Sequence, residues 1–168
     1  GTHVGVAYRQ QIVAGGSYYN LRFALLNPDG TLFKDVALTN YLDGAYKSVG
    51  QVNQSRPDKV GLTWNGSEYA IVWDDVDFNA PGSAVRLIRV TPLGVASPRV
   101  PVATSDELFG PVGPAVAWSA PYGGYLISGS INNSVYYRRV GALGTALETP
   151  NTFGNSYTCN SALAAAPD

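Results

Sequence analysis

Asp74, Asp75, Asp77 and Asn79, followed by Gly82, form the densest acidic cluster in the chain. The alternation of Asp75, Asp77 and Asn79 sets oxygen donors on one side of an extended loop, as a hard cation such as Ca²⁺ requires. The run lacks the glycine and the distal glutamate of an EF-hand loop. Two readings follow: a Ca²⁺ site on Asp75, Asp77 and Asn79, or a solvated loop whose carboxylates accept backbone N–H bonds. A second group is aromatic. Tyr18, Tyr19, Tyr122 and Tyr136 offer flat faces for a sugar ring or a protein surface. In a strand, alternation turns one member of Tyr18-Tyr19 and of Tyr136-Tyr137 inward and the other outward. Tyr122 sits beside Gly123 and Gly124, in a turn, and is expected to be exposed. Trp64, Trp73 and Trp118 are expected to pack between sheets. Arg138, with Arg139, and Arg86, with Arg89, could bind a carboxylate or pair with acids between sheets.

Covalent chemistry finds few candidates. His3 is the only histidine and Cys159 the only cysteine, so no multi-histidine or multi-cysteine metal cage and no disulfide within the chain can form. A serine nucleophile has only His3 as its base, and no Gly-x-Ser-x-Gly elbow is present. No pair among the 12 acidic residues falls at equivalent strand positions, as the acid and base of a glycosidase would require. A non-catalytic role is expected, with a glycoside hydrolase as the competing enzyme class. No cofactor other than Ca²⁺ is suggested.

The elements that position these residues are short strands. Of 168 residues, 19 are glycine and 11 proline, which turns the chain often. No long segment holds the i, i+3, i+4 apolar stripe of a helix. Runs rich in β-branched and aromatic residues appear instead at 4–8, 20–26, 59–64, 69–73, 84–90, 115–118, 125–128 and 134–140. Turn signals separate them: Asn27-Pro28-Asp29-Gly30, Trp64-Asn65-Gly66, Pro92-Leu93-Gly94 and Ala142-Leu143-Gly144. Charged residues make only 14% of the chain and the net charge is −1, so no basic footprint for nucleic acid exists. No apolar run is long enough to span a bilayer as a helix.

The strands repeat. Trp64 and Trp118 are 54 residues apart, Tyr69 and Tyr125 are 56. Four strands in a unit of about 50 residues is the blade pattern of a β-propeller. The division predicted is residues 1–55 as a first blade carrying strands two to four, 56–110 as a second and 111–156 as a third. Segment 157–168 would supply the first blade's missing strand, so that Asp168 and Gly1 meet at a turn. The chain holds no methionine and begins at Gly1, as expected of a processed chain or an excerpt cut in register. Three blades are too few for a closed ring, so a homo-oligomer or the remainder of a longer propeller is expected.

The unit Trp64-Asn65-Gly66-Ser67-Glu68-Tyr69-Ala70-Ile71-Val72-Trp73-Asp74-Asp75, with Leu87-Ile88-Arg89-Val90-Thr91-Pro92-Leu93-Gly94 after it, resembles repeats of large bacterial, often myxobacterial, secreted and surface proteins. The resemblance spans nearly the whole chain and is strongest in this unit. Ala7-Tyr8-Arg9 keeps an aromatic where the pattern has Trp, whereas Ile127-Ser128-Gly129 loses it. It implies an all-β propeller displayed outside the cell and carries no catalytic residue. The functional expectation is therefore a secreted or surface binding and assembly module whose partner is a glycan or a protein surface. A propeller lectin is its sharper form, and a structural subunit closed by strand exchange the alternative.

Overall fold

The computed structural model describes residues 3–12, 19–41, 47–49, 60–77, 84–104, 112–131, 134–153 and 163. Cys159, Tyr18, Asn79 and the proposed closing segment 157–168, Leu163 excepted, lie outside them. The described chain is all β, in three antiparallel sheets. β1 (Val4–Gln11), β2 (Tyr19–Leu26) and β3 (Leu32–Ala37) form the first sheet in that order. β4 (Lys47–Val49), β5 (Val60–Trp64), β6 (Tyr69–Asp77), β7 (Ala84–Val90) and β8 (Val100–Thr104) form the middle one. β9 (Val112–Ser119), β10 (Gly124–Ile131), β11 (Ser134–Gly141) and β12 (Asn151–Phe153) form the third.

Two features differ from the sequence expectation. The middle sheet has a fifth strand, because β4, from the stretch assigned to the first unit, pairs with β6. β4 takes the far half of one β6 edge (Val49 opposite Asp75), and β5 takes the near half (Trp64 opposite Tyr69). The sequence also suggests a fourth strand of this unit near residues 95–102, whereas β8 starts only at Val100. After the turn the chain meets β7 through the Val90–Ala96 bridge, the Ser97 N–H bond to Arg89 O at 2.8 Å and the Arg89 N–H bond to Ser97 Oγ at 3.0 Å. Pro98 has no N–H with which to continue a ladder.

The repeat itself appears in the hydrogen bonds. Val4 pairs with Leu26, Tyr69 with Val90 and Tyr125 with Val140, the same place in three successive hairpins. Four residues on, Gly30, Gly94 and Gly144 adopt φ of 85°, 71° and 92°. Each donates its N–H three residues back, to Asn27, Thr91 and Gly141 at 2.8–2.9 Å. This is a three-residue hairpin loop closed by a left-handed glycine, which a side chain at that position would strain.

Strand alternation then builds the core. On β6, Ile71 and Trp73 face the first sheet and join Leu21, Phe23 and Leu25. Ala70 and Val72, one residue out of phase, face the third sheet and join Val116, Tyr125, Ile127 and Tyr136. Residues Ala70 through Asp75 are all buried, so β6 has no solvent face along this stretch. Each large apolar side chain so buried contributes about 1.5–3 kcal/mol.

The sheets approach closely where one presents a small residue. A Cβ on Gly5 would lie 2.6 Å from the Tyr69 ring and 2.8 Å from Phe23. Gly5→Val is therefore expected to lower the unfolding free energy by about 2–3 kcal/mol, read as a reduced urea midpoint with unchanged slope. An unchanged midpoint would contradict this packing.

Candidate functional site

Two adjacent carboxylates near the end of β6 point in opposite directions. Asp75 turns to the face that meets the first sheet; Tyr41 Oη donates to its Oδ1, and Arg86 Nε of the adjacent strand β7 donates to its Oδ2. Arg99 Nη1 in turn donates to Tyr41 Oη at 3.3 Å. Asp74 turns to the third sheet, where its Oδ2 accepts the Gly113 N–H at 2.9 Å. Gly113, with φ of 62°, sits where β9 slips register against β10 between Ser128 and Ser130. One carboxylate thus fastens a side-chain network and the other a backbone bulge. Both oxygens of Asp75 are engaged, which leaves it less available to the Ca²⁺ site expected with Asp77 and Asn79. The Asp77 side chain and Asn79 lie outside the described residues. Among the described residues, no three His, Cys, Asp or Glu side chains gather to hold a metal.

The open site lies over the third sheet. A groove of about 1090 Å³ runs past Trp64, Trp118, Tyr122, Leu126, Tyr137 and Arg139. Trp64 packs at a tilt against its cross-strand partner Tyr69, with ring centroids 4.7 Å apart, and Trp118 meets Tyr125 edge to face at 4.9 Å, so each indole is held by a tyrosine. Tyr122 is 72% exposed at the β9–β10 turn. The Arg139 guanidinium lies 5.9 Å from its ring centroid. Arg139 also reaches Glu148, with Nη2 to Oε2 at 2.7 Å and the backbone N–H to Oε1 at 3.1 Å. These donors, the side-chain one first, hold the Glu148 carboxyl below its usual range. The groove thus offers aromatic faces beside a fixed ion pair.

Of the residues expected to bind, Tyr122 lines this groove. Tyr19 belongs to the first sheet, with Arg9 4.5 Å over its ring. Tyr136 and Arg138 correct the expectation. Tyr136 is 0% exposed, and Arg138 is buried with Nη1 donating to Val102 O at 2.8 Å. β10 sets the phase of β11: Tyr136 lies opposite Gly129 and Arg138 opposite Ile127, on the face turned to the middle sheet. Tyr137 and Arg139 occupy the other face. Trp64, expected to pack between sheets, is 38% exposed and lines the groove. Glu148 was not foreseen, although the Gly144 loop brings it back beside Arg139, with Leu147 N–H bonded to Arg139 O at 3.1 Å. His3 stacks on Phe33 at 4.1 Å in the first sheet.

Comparison with protein-family models, with curated proteins and with solved structures gives no match. Among the described residues no helix is long and apolar enough to cross a membrane.

The buried hydroxyls set the alkaline limit. Burial raises Tyr41, Tyr69, Tyr125 and Tyr136 above the usual tyrosine value, with Asp75 adding to the rise of Tyr41 and Asp74 to that of Tyr136. The folded pKa values exceed the unfolded ones. Their contribution is therefore complete below about pH 10 and is lost as pH rises toward the folded values. Stability is expected to fall above about pH 10. Tyr136 Oη has no hydrogen-bond partner among the described residues. Tyr136→Phe should thus leave stability at pH 7 level or higher and flatten the alkaline slope. A denaturant series from neutral to alkaline pH checks both, and a slope unchanged by Tyr136→Phe would contradict the assignment. Asp75→Asn should cost roughly 1–3 kcal/mol at neutral pH, and a loss below 0.5 kcal/mol would contradict the network.

Proposed function

We propose that the chain is a run of three β-propeller blades, secreted or displayed at the cell surface, that acts as a non-catalytic binding and assembly module. One observation carries this reading: successive sheets are joined twice through a tyrosine at the same place in the hairpin register. Tyr69 Oη of the middle sheet donates to His3 O of the first at 2.8 Å. Asn65 Nδ2 of the middle sheet donates to Tyr125 Oη of the third at 2.9 Å. In both, a tyrosine at one place in the hairpin register reaches back to the preceding sheet. A step used twice is the step of a repeat architecture, in which each sheet buries its apolar face against the next. The edge strands agree, since β5 touches both β1 and β9. Buried polar groups also serve this joining: Asp74 of β6 accepts the Gly113 N–H of β9, and Arg138 of β11 donates to Val102 O of β8.

A carbohydrate ligand is the second reading, favoured by Trp64, Trp118 and Tyr122 along one groove. Exposed rings suit stacking on the apolar face of a sugar. An experimental structure showing the sheets fanned about an axis, β5 and β9 innermost, would support the propeller, and a flat layered sandwich would overturn it. For the sugar reading, Tyr122→Ala should change stability by less than about 0.5 kcal/mol and weaken saccharide binding about tenfold or more. Binding indifferent to Tyr122 would exclude that groove.

A further inference from the structure

The interfaces inside the chain show what would fit on its uncovered faces. The hairpin register makes Gly5, Ala70 and Leu126 equivalent, each next to the residue paired at the clasp. It likewise makes Val4, Tyr69 and Tyr125 equivalent. In the first interface Gly5 lies under Tyr69, with no room for a Cβ. In the second, Ala70 and Tyr125 share one core. Gly5 thus lies directly under the Tyr69 ring, and the equivalent small and large residues of the next interface, Ala70 and Tyr125, belong to one core. The faces left over reverse these sizes. The third sheet presents Leu126 in the groove, and the first sheet presents Val4, 57% exposed, on the face turned away from the middle sheet. Leu126 would clash with a third tyrosine but has space against a valine. Volume is conserved across the seat, as close packing requires.

The rest of both faces agrees. Tyr137 stands in the groove where Phe23 and Leu87 stand in the two internal interfaces. Val6, 39% exposed, stands on the free face of the first sheet where Ile71 and Ile127 are buried in the internal interfaces. Both faces therefore carry apolar residues at the positions that are core elsewhere in the repeat.

We infer that the groove over the third sheet is the seat for the first sheet of a second copy of this chain, docked by the same step that joins the sheets within one copy. The inference rests on the repeat-stack reading above. The contact is head-to-tail, so each copy offers one seat and one face to fill another. Two copies close if six such steps complete a ring; otherwise the contact propagates into a filament. The seat and the sugar-binding groove are the same surface, so one occupant excludes the other.

Sedimentation and native mass measurement on the full chain test this. The chain is expected at twice 17.8 kDa or a higher multiple. Val4→Lys, at an exposed position, should leave the thermal melt unchanged and weaken association about tenfold or more. Leu126→Glu should weaken it similarly, and the double variant Val4→Lys with Leu126→Glu should restore it in part by pairing the new charges across the seat. If Leu126→Glu fails to fold, Val4→Lys alone still decides. A species of 17.8 kDa at every concentration overturns the inference. So does association indifferent to Val4→Lys, and so does a single-copy chain that binds saccharide through Tyr122. A single copy with sheets fanned about an axis would refute the second copy and leave the propeller standing, whereas an unfanned sandwich would refute the propeller first.

Discussion

Strand β6 has to be buried on both faces, and the rest of the molecule answers to that. Ala70 and Val72 face one neighbour, Ile71 and Trp73 the other, and none of the four has an exposed surface. A strand in this position cannot use the half-apolar alternation of a surface strand, so it reads as a continuous apolar run. The run ends in Asp74 and Asp75, which continue the alternation as polar contacts. Asp74 grips the bulge at Gly113 and Asp75 grips Arg86 and Tyr41. Two carboxylates buried side by side would be costly if unpaired. Set on opposite faces, they pin the two neighbouring sheets to one strand.

The same constraint explains where the open surface lies. Among the described residues, the middle sheet is covered on both sides, and each outer sheet only on the side turned to it. What remains on the third sheet is a groove in which Leu126 and Tyr137 sit at the positions that Ala70 and Leu87 fill in the core of the middle sheet. The place of Tyr137 in that lining is thus a consequence of the repeat. An arginine stands at the same place beside the second and third hairpin loops, as Arg89 and Arg139, where the first has Leu25. Each arginine pairs with a glutamate reached by a different path: Glu68 from the preceding turn at 2.7 Å, Glu148 from the segment between the Gly144 loop and β12 at 2.7 Å. The conserved geometry is the backbone step, and side chains satisfy it with whatever partner the loop supplies.

Much of this was legible in the residues. The runs at 20–26, 84–90 and 134–140 became β2, β7 and β11 to within a residue, because β-branched content bounded by Gly and Pro is a local signal. The loop glycines Gly30, Gly94 and Gly144 were equally plain, since a left-handed position strongly favours glycine. Three things were not local. β4 is three residues long and exists because β6 leaves half an edge unpaired beyond β5. The choice between Tyr136 and Tyr137 depends on register against β10, and two adjacent tyrosines carry no phase of their own. The roles of Asp74 and Asp75 depend on what packs against each face, so a cluster that reads as a cation loop serves at least in part as a pair of fastenings.

Native-state hydrogen exchange, resolved by residue, tests the central role of β6 most directly. The amides of Ala70 to Trp73 are expected to exchange only through global unfolding, with the highest protection in the molecule. The first and third sheets should open at lower free energy, each independently of the other. Exchange of β6 through a local opening, while β2 or β10 stays fully protected, would contradict the claim that this strand holds the three sheets together.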